Sequence, residues 1–105
     1  MHAGITEDPI TQAIQQEDAH LVEMAMGLCE LYPAHLQMAQ SISCHQARLL
    51  ICRLLVRRGV DPHQGSPSAI DRASSQGLED EAWSMTAAWL DFQSLTRTQT
   101  GLFPD

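Results

Sequence analysis

Residues 59–77 read GVDPHQGSPSAIDRASSQG, and this stretch decides the fold. Gly59 is suited to end a helix, because glycine adopts the left-handed conformation without a steric penalty. The polar residues after it are typical of a turn. Ser68, with Asp71 three residues later, forms a pattern similar to a capping box, which starts a short helix. Gly77 ends that helix. The succession predicts an all-α fold built from stacked helix-turn-helix pairs.

Outward from this stretch, the sequence predicts six helices, because apolar residues recur at three- and four-residue steps between capping and stop signals. The predicted bounds are 9–16, 19–31, 34–41, 45–58, 66 or 68 to 76, and 79–92. The fourth helix is apolar nearly all round, which predicts contacts on several sides. Its four arginines are expected on its exposed strip or at its C-terminal end. No strand is predicted, since alternating apolar segments with hairpin signals are absent.

The 105 residues suit one domain. We expect a single helical repeat domain over residues 1–92 and a loosely ordered tail over residues 93–105, which is rich in Thr and contains Gly101 and Pro104. No apolar run reaches the length of a membrane helix, and the first residues lack the features of a signal peptide. A cytoplasmic location is therefore predicted.

The formal net charge is −7, and all six basic residues are arginine. Nucleic acid and anionic membranes are disfavoured as partners, because phosphate binding needs an excess of basic residues. A basic partner protein suits the charge better. The alternative is that the acidity only keeps the protein soluble.

A repeat is indicated by three small residues, Ala13, Ala39 and Ala73, each in the middle of a predicted first helix of a pair. Their spacings are 26 and 34 residues. An apolar residue stands three positions before each alanine, and an apolar helix follows each time. Three such pairs stacked together can bury faces that one pair leaves exposed.

At residues 54–62 and 68–77 the sequence resembles ankyrin repeats, with a double leucine before Gly-Val-Asp-Pro and a short helix that carries a central alanine and ends at glycine. The resemblance covers residues 8–92. The 26-residue spacing leaves no room for a hairpin between the first two repeats, and the family's Thr-Pro-Leu-His pattern is never intact. The alternative is a small orthogonal helical bundle.

The resemblance implies protein binding without chemistry, through the turn tips and the exposed side of each first helix. The residues this indicates are Gln12, Gln15, Gln16, Gln37, Gln40, His63, Gln64, Asp71, Arg72 and Ser75. The alternative for each of them is an ordinary solvated polar residue.

The two tryptophans, Trp83 and Trp89, are six residues apart on one predicted helix, so their side chains lie about 120° apart around its axis. They cannot both enter the same part of the core. One of them is expected at the surface as an anchor for a protein interface. The alternative is that both pack against neighbouring helices and the tail.

No motif indicates catalysis, a metal site or a cofactor. The three cysteines are irregularly spaced, which predicts free thiols. Cys44 and His45 are adjacent and would point to different sides of a helix, and Cys29 and Cys52 are expected in the core. The acidic residues 79–81 are explained as a helix start.

We therefore predict a non-enzymatic, cytoplasmic bacterial adaptor that binds another protein, in the manner of an inhibitor, an immunity protein or a secretion chaperone, as a monomer or a homodimer. The alternative functions are a self-associating structural or regulatory protein that uses the Trp83/Trp89 face and, after it, a small enzyme or metal-binding domain. The predicted protein-binding residues are Gln12, Gln16, Gln40, His63, Gln64, Asp71, Arg72, Trp83 and Trp89.

Overall fold

The computed structural model describes the backbone of residues 8–101 and the side chains of residues 8–96. Within that range the chain forms six helices and no strand, which confirms the predicted all-α class. The helices are α1 (Pro9–Gln15), α2 (Ala19–Met26), α3 (Pro33–Gln40), α4 (His45–Arg57), α5 (Ala69–Ser75) and α6 (Glu79–Gly101). No helix in this part of the chain is both long and apolar enough to cross a membrane.

The helices pack as three consecutive pairs, α1 with α2, α3 with α4, and α5 with α6. The first helices of the pairs contact one another in the order α1, α3, α5, and the second helices in the order α2, α4, α6. The structure is therefore two layers of three helices. Helix α4 contacts α2, α3 and α6, as its nearly continuous apolar surface predicts.

The first and third pairs are locally equivalent. Helices α1 and α5 each have seven residues, and each starts at a cap residue, Asp8 or Ser68, whose side chain accepts a hydrogen bond from the backbone N–H three residues later. Each helix is followed by a residue with positive φ, 57° at Glu17 and 76° at Gly77. The same turn therefore leads into α2 and α6, although only Gly77 has the residue type that the conformation favours.

The core lies between the two layers. The three aligned alanines, Ala13, Ala39 and Ala73, are all buried. Their small side chains let the helices of the first layer approach closely. The largest fully buried apolar side chains are Ile10, Ile14, Val22, Ile51, Leu55, Val56 and Met85.

Two predicted helix ends are wrong. Helix α2 ends at Met26 rather than Leu31, because Gly27 takes the C-cap position, and Leu28, an apolar residue within the predicted helix, is 80% exposed. Helix α6 continues to Gly101 rather than ending at Phe92, since no glycine or proline interrupts residues 93–100. The part of the predicted tail over residues 93–101 is thus helical backbone. Two segments lie outside the described range: residues 1–7, which include the start predicted to lack a signal peptide, and residues 102–105, the end of the predicted tail.

A buried ion pair fixes α6 against α4. The carboxylate of Glu81 is only 1% exposed and accepts a hydrogen bond from Nε of Arg48, whose side chain is 14% exposed. Arg48 also donates from Nη1 to the carbonyl of Ile42, at 2.8 Å. The expectation that all four arginines of α4 are exposed is therefore wrong for Arg48. Glu81 does more than mark a helix start, because it neutralises the buried guanidinium.

Candidate protein-binding groove

The two tryptophans of α6 have different environments, as their separation around the helix requires. Trp89 is half-buried and stacks on Phe92, with ring centroids 5.2 Å apart, and its ring meets the edge of His63 at 6.4 Å. Trp83 is 73% exposed. Leu90, seven residues after Trp83 and therefore on the same side of α6, is also exposed. Trp83 and Leu90 form an exposed apolar strip.

Trp83 borders a groove between α4 and α6. The two helices run in the same direction, because Arg48 meets Glu81 near their starts and Arg57 meets Asp91 further along. The groove encloses about 580 Å³. Its α4 side carries Leu49, Arg53 and Arg57, and its α6 side carries Asp80, Trp83, Ser84, Ala87, Ala88 and Asp91.

The groove continues towards the C-terminal part of α6. A second depression, of about 390 Å³, is lined by Arg57, Asp91, Ser94 and Leu95. The two depressions adjoin at the ion pair in which Nη2 of Arg57 donates to Oδ2 of Asp91 at 3.1 Å. The α6 side of the two depressions, from Asp80 to Leu95, is about 22 Å long, as calculated from the rise per residue of an α-helix. We call this combined surface the α4–α6 groove.

The α4–α6 groove carries two arginines and two aspartates and is formally neutral, whereas the whole chain has a net charge of −7. The side chains of Arg53 and Asp80 form no hydrogen bond or ion pair with any other residue whose side chain is described. Arg57 and Asp91 pair with each other, but both are more than half exposed, so the pair contributes little to stability. All four charges are thus accessible to a partner.

Two residues predicted from the resemblance, Gln40 and Arg72, have an internal role. Nε and Nη2 of Arg72 donate to Oε1 of Gln40 at 2.9 and 2.7 Å, and Nη1 donates to the carbonyl of Pro67 at 2.9 Å. Nε2 of Gln40 donates to the carbonyl of Ala69 at 2.8 Å. These bonds hold α3 against α5. They also occupy the amide and guanidinium groups through which Gln40 and Arg72 would contact a partner.

The other predicted residues are exposed but lie away from the α4–α6 groove. Asp61 caps the turn that contains His63, because its Oδ1 accepts a hydrogen bond from the His63 backbone N–H at 2.9 Å. On α1, on α5 and in the turn after α4, the exposed residues are Gln12, Gln16, Gln64 and Asp71. Of the predicted set, only Trp83 lines the groove.

Four charged residues of the groove are not indicated as site residues by the sequence: Arg53, Arg57, Asp80 and Asp91. They lie on helices that are more than twenty positions apart in the chain, and only the packing of α4 against α6 brings them together. The sequence does contain one indication of the groove. Arg53 and Arg57 are four residues apart and Asp80 and Trp83 are three residues apart, so each pair lies on one face of its helix.

The buried titratable groups serve the fold. Burial raises the pKa of the Cys52 thiol to about 12, and the nearby Glu81 carboxylate adds to the shift. The ring of His35 accepts at Nδ1 a hydrogen bond from the Tyr32 N–H, at 3.0 Å, so Nε2 carries the hydrogen that faces Asp8, at 3.3 Å. His35 therefore joins α1 to α3.

The described side chains include no group of three His, Cys, Asp or Glu residues that is arranged to hold a metal ion. The α4–α6 groove itself presents an indole, two guanidinium groups and two carboxylates without a histidine or thiol beside them. This set of groups is suited to contacts with a polypeptide.

Comparison of the chain with protein-family models, curated proteins and solved structures finds no match. The resemblance to ankyrin repeats therefore stays a prediction, and the function must be inferred from the geometry of this chain.

Proposed function

We propose that this protein is a non-enzymatic protein-interaction module and that the α4–α6 groove is its binding surface. The observation that carries the proposal is Trp83, a large aromatic side chain that is 73% exposed at the edge of a groove with charges on both sides. Trp and Arg are the residue types most enriched among those that dominate binding energy at protein interfaces. Three free thiols and a net acidic charge suit a cytoplasmic location, which is part of the proposal.

The energy available at Trp83 is substantial. A tryptophan buries roughly 200 Å² when covered. Covering the exposed part of Trp83 would therefore remove about 150 Å² from water, which corresponds to about 3–4 kcal/mol before the costs of association. A flanking guanidinium such as that of Arg53 or Arg57 can add a cation–π or charge contact to the same partner.

The test is a comparison of two truncation variants in a pull-down from native lysate. Trp83→Ala removes the exposed aromatic of the groove, and Leu28→Ala removes an equally exposed apolar side chain after α2, far along the chain from the groove. Both variants should keep the helical circular dichroism of the wild type, because neither side chain is in the core. We expect a stoichiometric polypeptide bound to the wild type and to Leu28→Ala but not to Trp83→Ala.

That polypeptide can be a different protein or an untagged copy of this chain, so the lysate is prepared from cells that also express the untagged chain. Equal recovery of every bound protein with wild type and Trp83→Ala would overturn the assignment of the groove. In that case the exposed polar residues of α1 and α5 would become the next surface to test.

A further inference from the structure

We infer that the occupant of the α4–α6 groove is a second copy of this chain, and that the two copies form a two-fold dimer with groove against groove. The inference rests on the proposed function, since it names the partner of that surface. In a two-fold dimer the same patch is used by both copies, so the patch must be complementary to itself. The charges and the shape of the α4–α6 groove meet that requirement.

The charge distribution is the first argument. A chain of net charge −7 repels its own copy through most of its surface. The groove is an exception, because Arg53 and Arg57 on the α4 side are balanced by Asp80 and Asp91 on the α6 side. When two such surfaces face each other across a two-fold axis parallel to the helices, α4 of one copy lies over α6 of the other, and each arginine can meet an aspartate of the other copy. Arg53 and Asp80 have no partner among the described side chains and are free to do so.

The shape is the second argument. The groove is a depression over Ala87 and Ala88, and Trp83 projects beside it. A copy brings both a projecting indole and a depression, so each Trp83 can be covered by the groove of the other copy. The exposed Leu90 adds apolar area on the same side of α6.

The size of the surface sets the affinity. The α6 side of the groove is about 22 Å long and the α4 side, from Leu49 to Arg57, about 12 Å, which gives a footprint of roughly 350 Å² per copy, a size typical of weak, transient interfaces. We therefore expect a dimer with a dissociation constant in the micromolar range, rather than an obligate one. The monomer remains folded on its own core, so variants that separate the copies should not unfold them.

The test uses charge reversal in a way that does not depend on which arginine meets which aspartate. One double variant, Arg53→Glu/Arg57→Glu, makes every charged group of the groove acidic. The other, Asp80→Arg/Asp91→Arg, makes every one basic. Each variant alone should be monomeric, because like charges face each other at the interface. Their equimolar mixture should form a heterodimer, because every facing pair then has opposite sign.

The measurement is sedimentation velocity over a concentration series from the low micromolar to the millimolar range, with circular dichroism to verify the fold. The wild type should sediment as a monomer of 11.6 kDa when dilute and approach twice that mass when concentrated. The mixture of the two double variants should dimerise at least about tenfold more tightly than either variant alone.

The control for long-range charge is Glu23→Arg/Glu30→Arg, which changes the net charge as much as Asp80→Arg/Asp91→Arg but acts on residues of the α2 side. Mixed with Arg53→Glu/Arg57→Glu, it should give no heterodimer. A heterodimer in this control mixture would show that overall charge drives the association and would overturn the inference.

Two other outcomes would also overturn it. A wild type that stays monomeric at every concentration would exclude the second copy as the occupant. The proposed function would then still stand if Trp83→Ala loses a different protein in the pull-down. A dimer that persists in both double variants would place the contact on another face of the molecule.

Discussion

Replacing Glu81 with glutamine tests how the structure holds α6 in place. Glu81→Gln keeps the volume of the side chain and one hydrogen-bond acceptor, so it opens no cavity in the core. It removes the charge that neutralises the guanidinium of Arg48, in a position where Glu81 is 1% and Arg48 14% exposed. Arg48 keeps its bond to the carbonyl of Ile42, but its charge becomes uncompensated.

Breaking a buried ion pair by removing one partner costs about 3–5 kcal/mol, and the glutamine retains part of the bonding, so we expect a loss of about 3 kcal/mol. With an m-value of roughly 1.5 kcal/mol/M for a chain of this size, the urea midpoint should fall by about 2 M. The assay is equilibrium urea unfolding followed by circular dichroism. The matched control is Glu79→Gln, an exposed residue of the same first turn, which should change the free energy of unfolding by less than about 0.5 kcal/mol.

A double-mutant cycle separates the ion pair from other effects. Once Arg48→Met has removed the buried cation, Glu81→Gln should cost little, so the double variant should be at least about 1 kcal/mol more stable than the sum of the single losses predicts. Two results would show that the ion pair does not stabilise the fold in this way. One is a loss for Glu81→Gln no larger than that for Glu79→Gln, and the other is additivity of the two single variants.

Three further predictions concern other parts of the fold. A methyl group at Gly59, where φ is 110°, would lie 3.2 Å from the ring of Phe92, whereas at Gly77, where φ is 76°, it would meet no atom within 4 Å. In urea unfolding, Gly59→Ala should therefore lower the free energy of unfolding by about 2 kcal/mol and Gly77→Ala by about 1 kcal/mol. Equal losses would contradict this. A thiol reagent should label the exposed Cys44 at least about 100-fold faster than Cys52, because burial raises the pKa of the Cys52 thiol to about 12. Mass spectrometry of the labelled native protein measures both rates, and labelling of Cys52 as fast as Cys44 or faster would contradict this. Hydrogen bonds from Thr11, in the first turn of α1, lower the pKa of Asp8 below 3.8, so the contribution of Asp8 to stability is present above pH 3.8 and is lost as the pH falls through the lowered pKa. The urea midpoint of the wild type should therefore exceed that of Asp8→Asn by a margin that shrinks on acidification. A margin that stays constant with pH would argue against this role of Asp8.

The sequence predicts most of the helices because their signals are local. Asp8 and Ser68 are cap residues whose side chains bond the backbone three positions later, and both helices start where those residues predict. The burial of Ala13, Ala39 and Ala73 follows from helical periodicity in the same way.

The end of α2 could not be read from periodicity, because the apolar pattern continues through Gly27 to Leu31. A glycine is tolerated inside a helix and is also a frequent helix end, so the sequence offers two readings of it. Tertiary packing decides between them. The result is that Leu28 is exposed instead of buried.

The α4–α6 groove depends on contacts between distant positions. Arg48 and Glu81 are 33 residues apart, and nothing near either residue in the sequence shows that they meet. The angle between the two tryptophans predicts that they point in different directions, but it does not say which one is outside. Phe92 and His63 decide this, because they surround the ring of Trp89 and leave Trp83 exposed.

Fluorine NMR of the protein labelled with fluorotryptophan would show directly whether a polypeptide covers the α4–α6 groove. The chain has two tryptophans, so the half-buried Trp89 is an internal control for Trp83. If a polypeptide covers the groove, the Trp83 resonance should shift as the protein is concentrated or placed in native lysate, while the Trp89 resonance keeps its position. A Trp83 resonance that keeps its dilute position in both conditions would show that no polypeptide covers the groove.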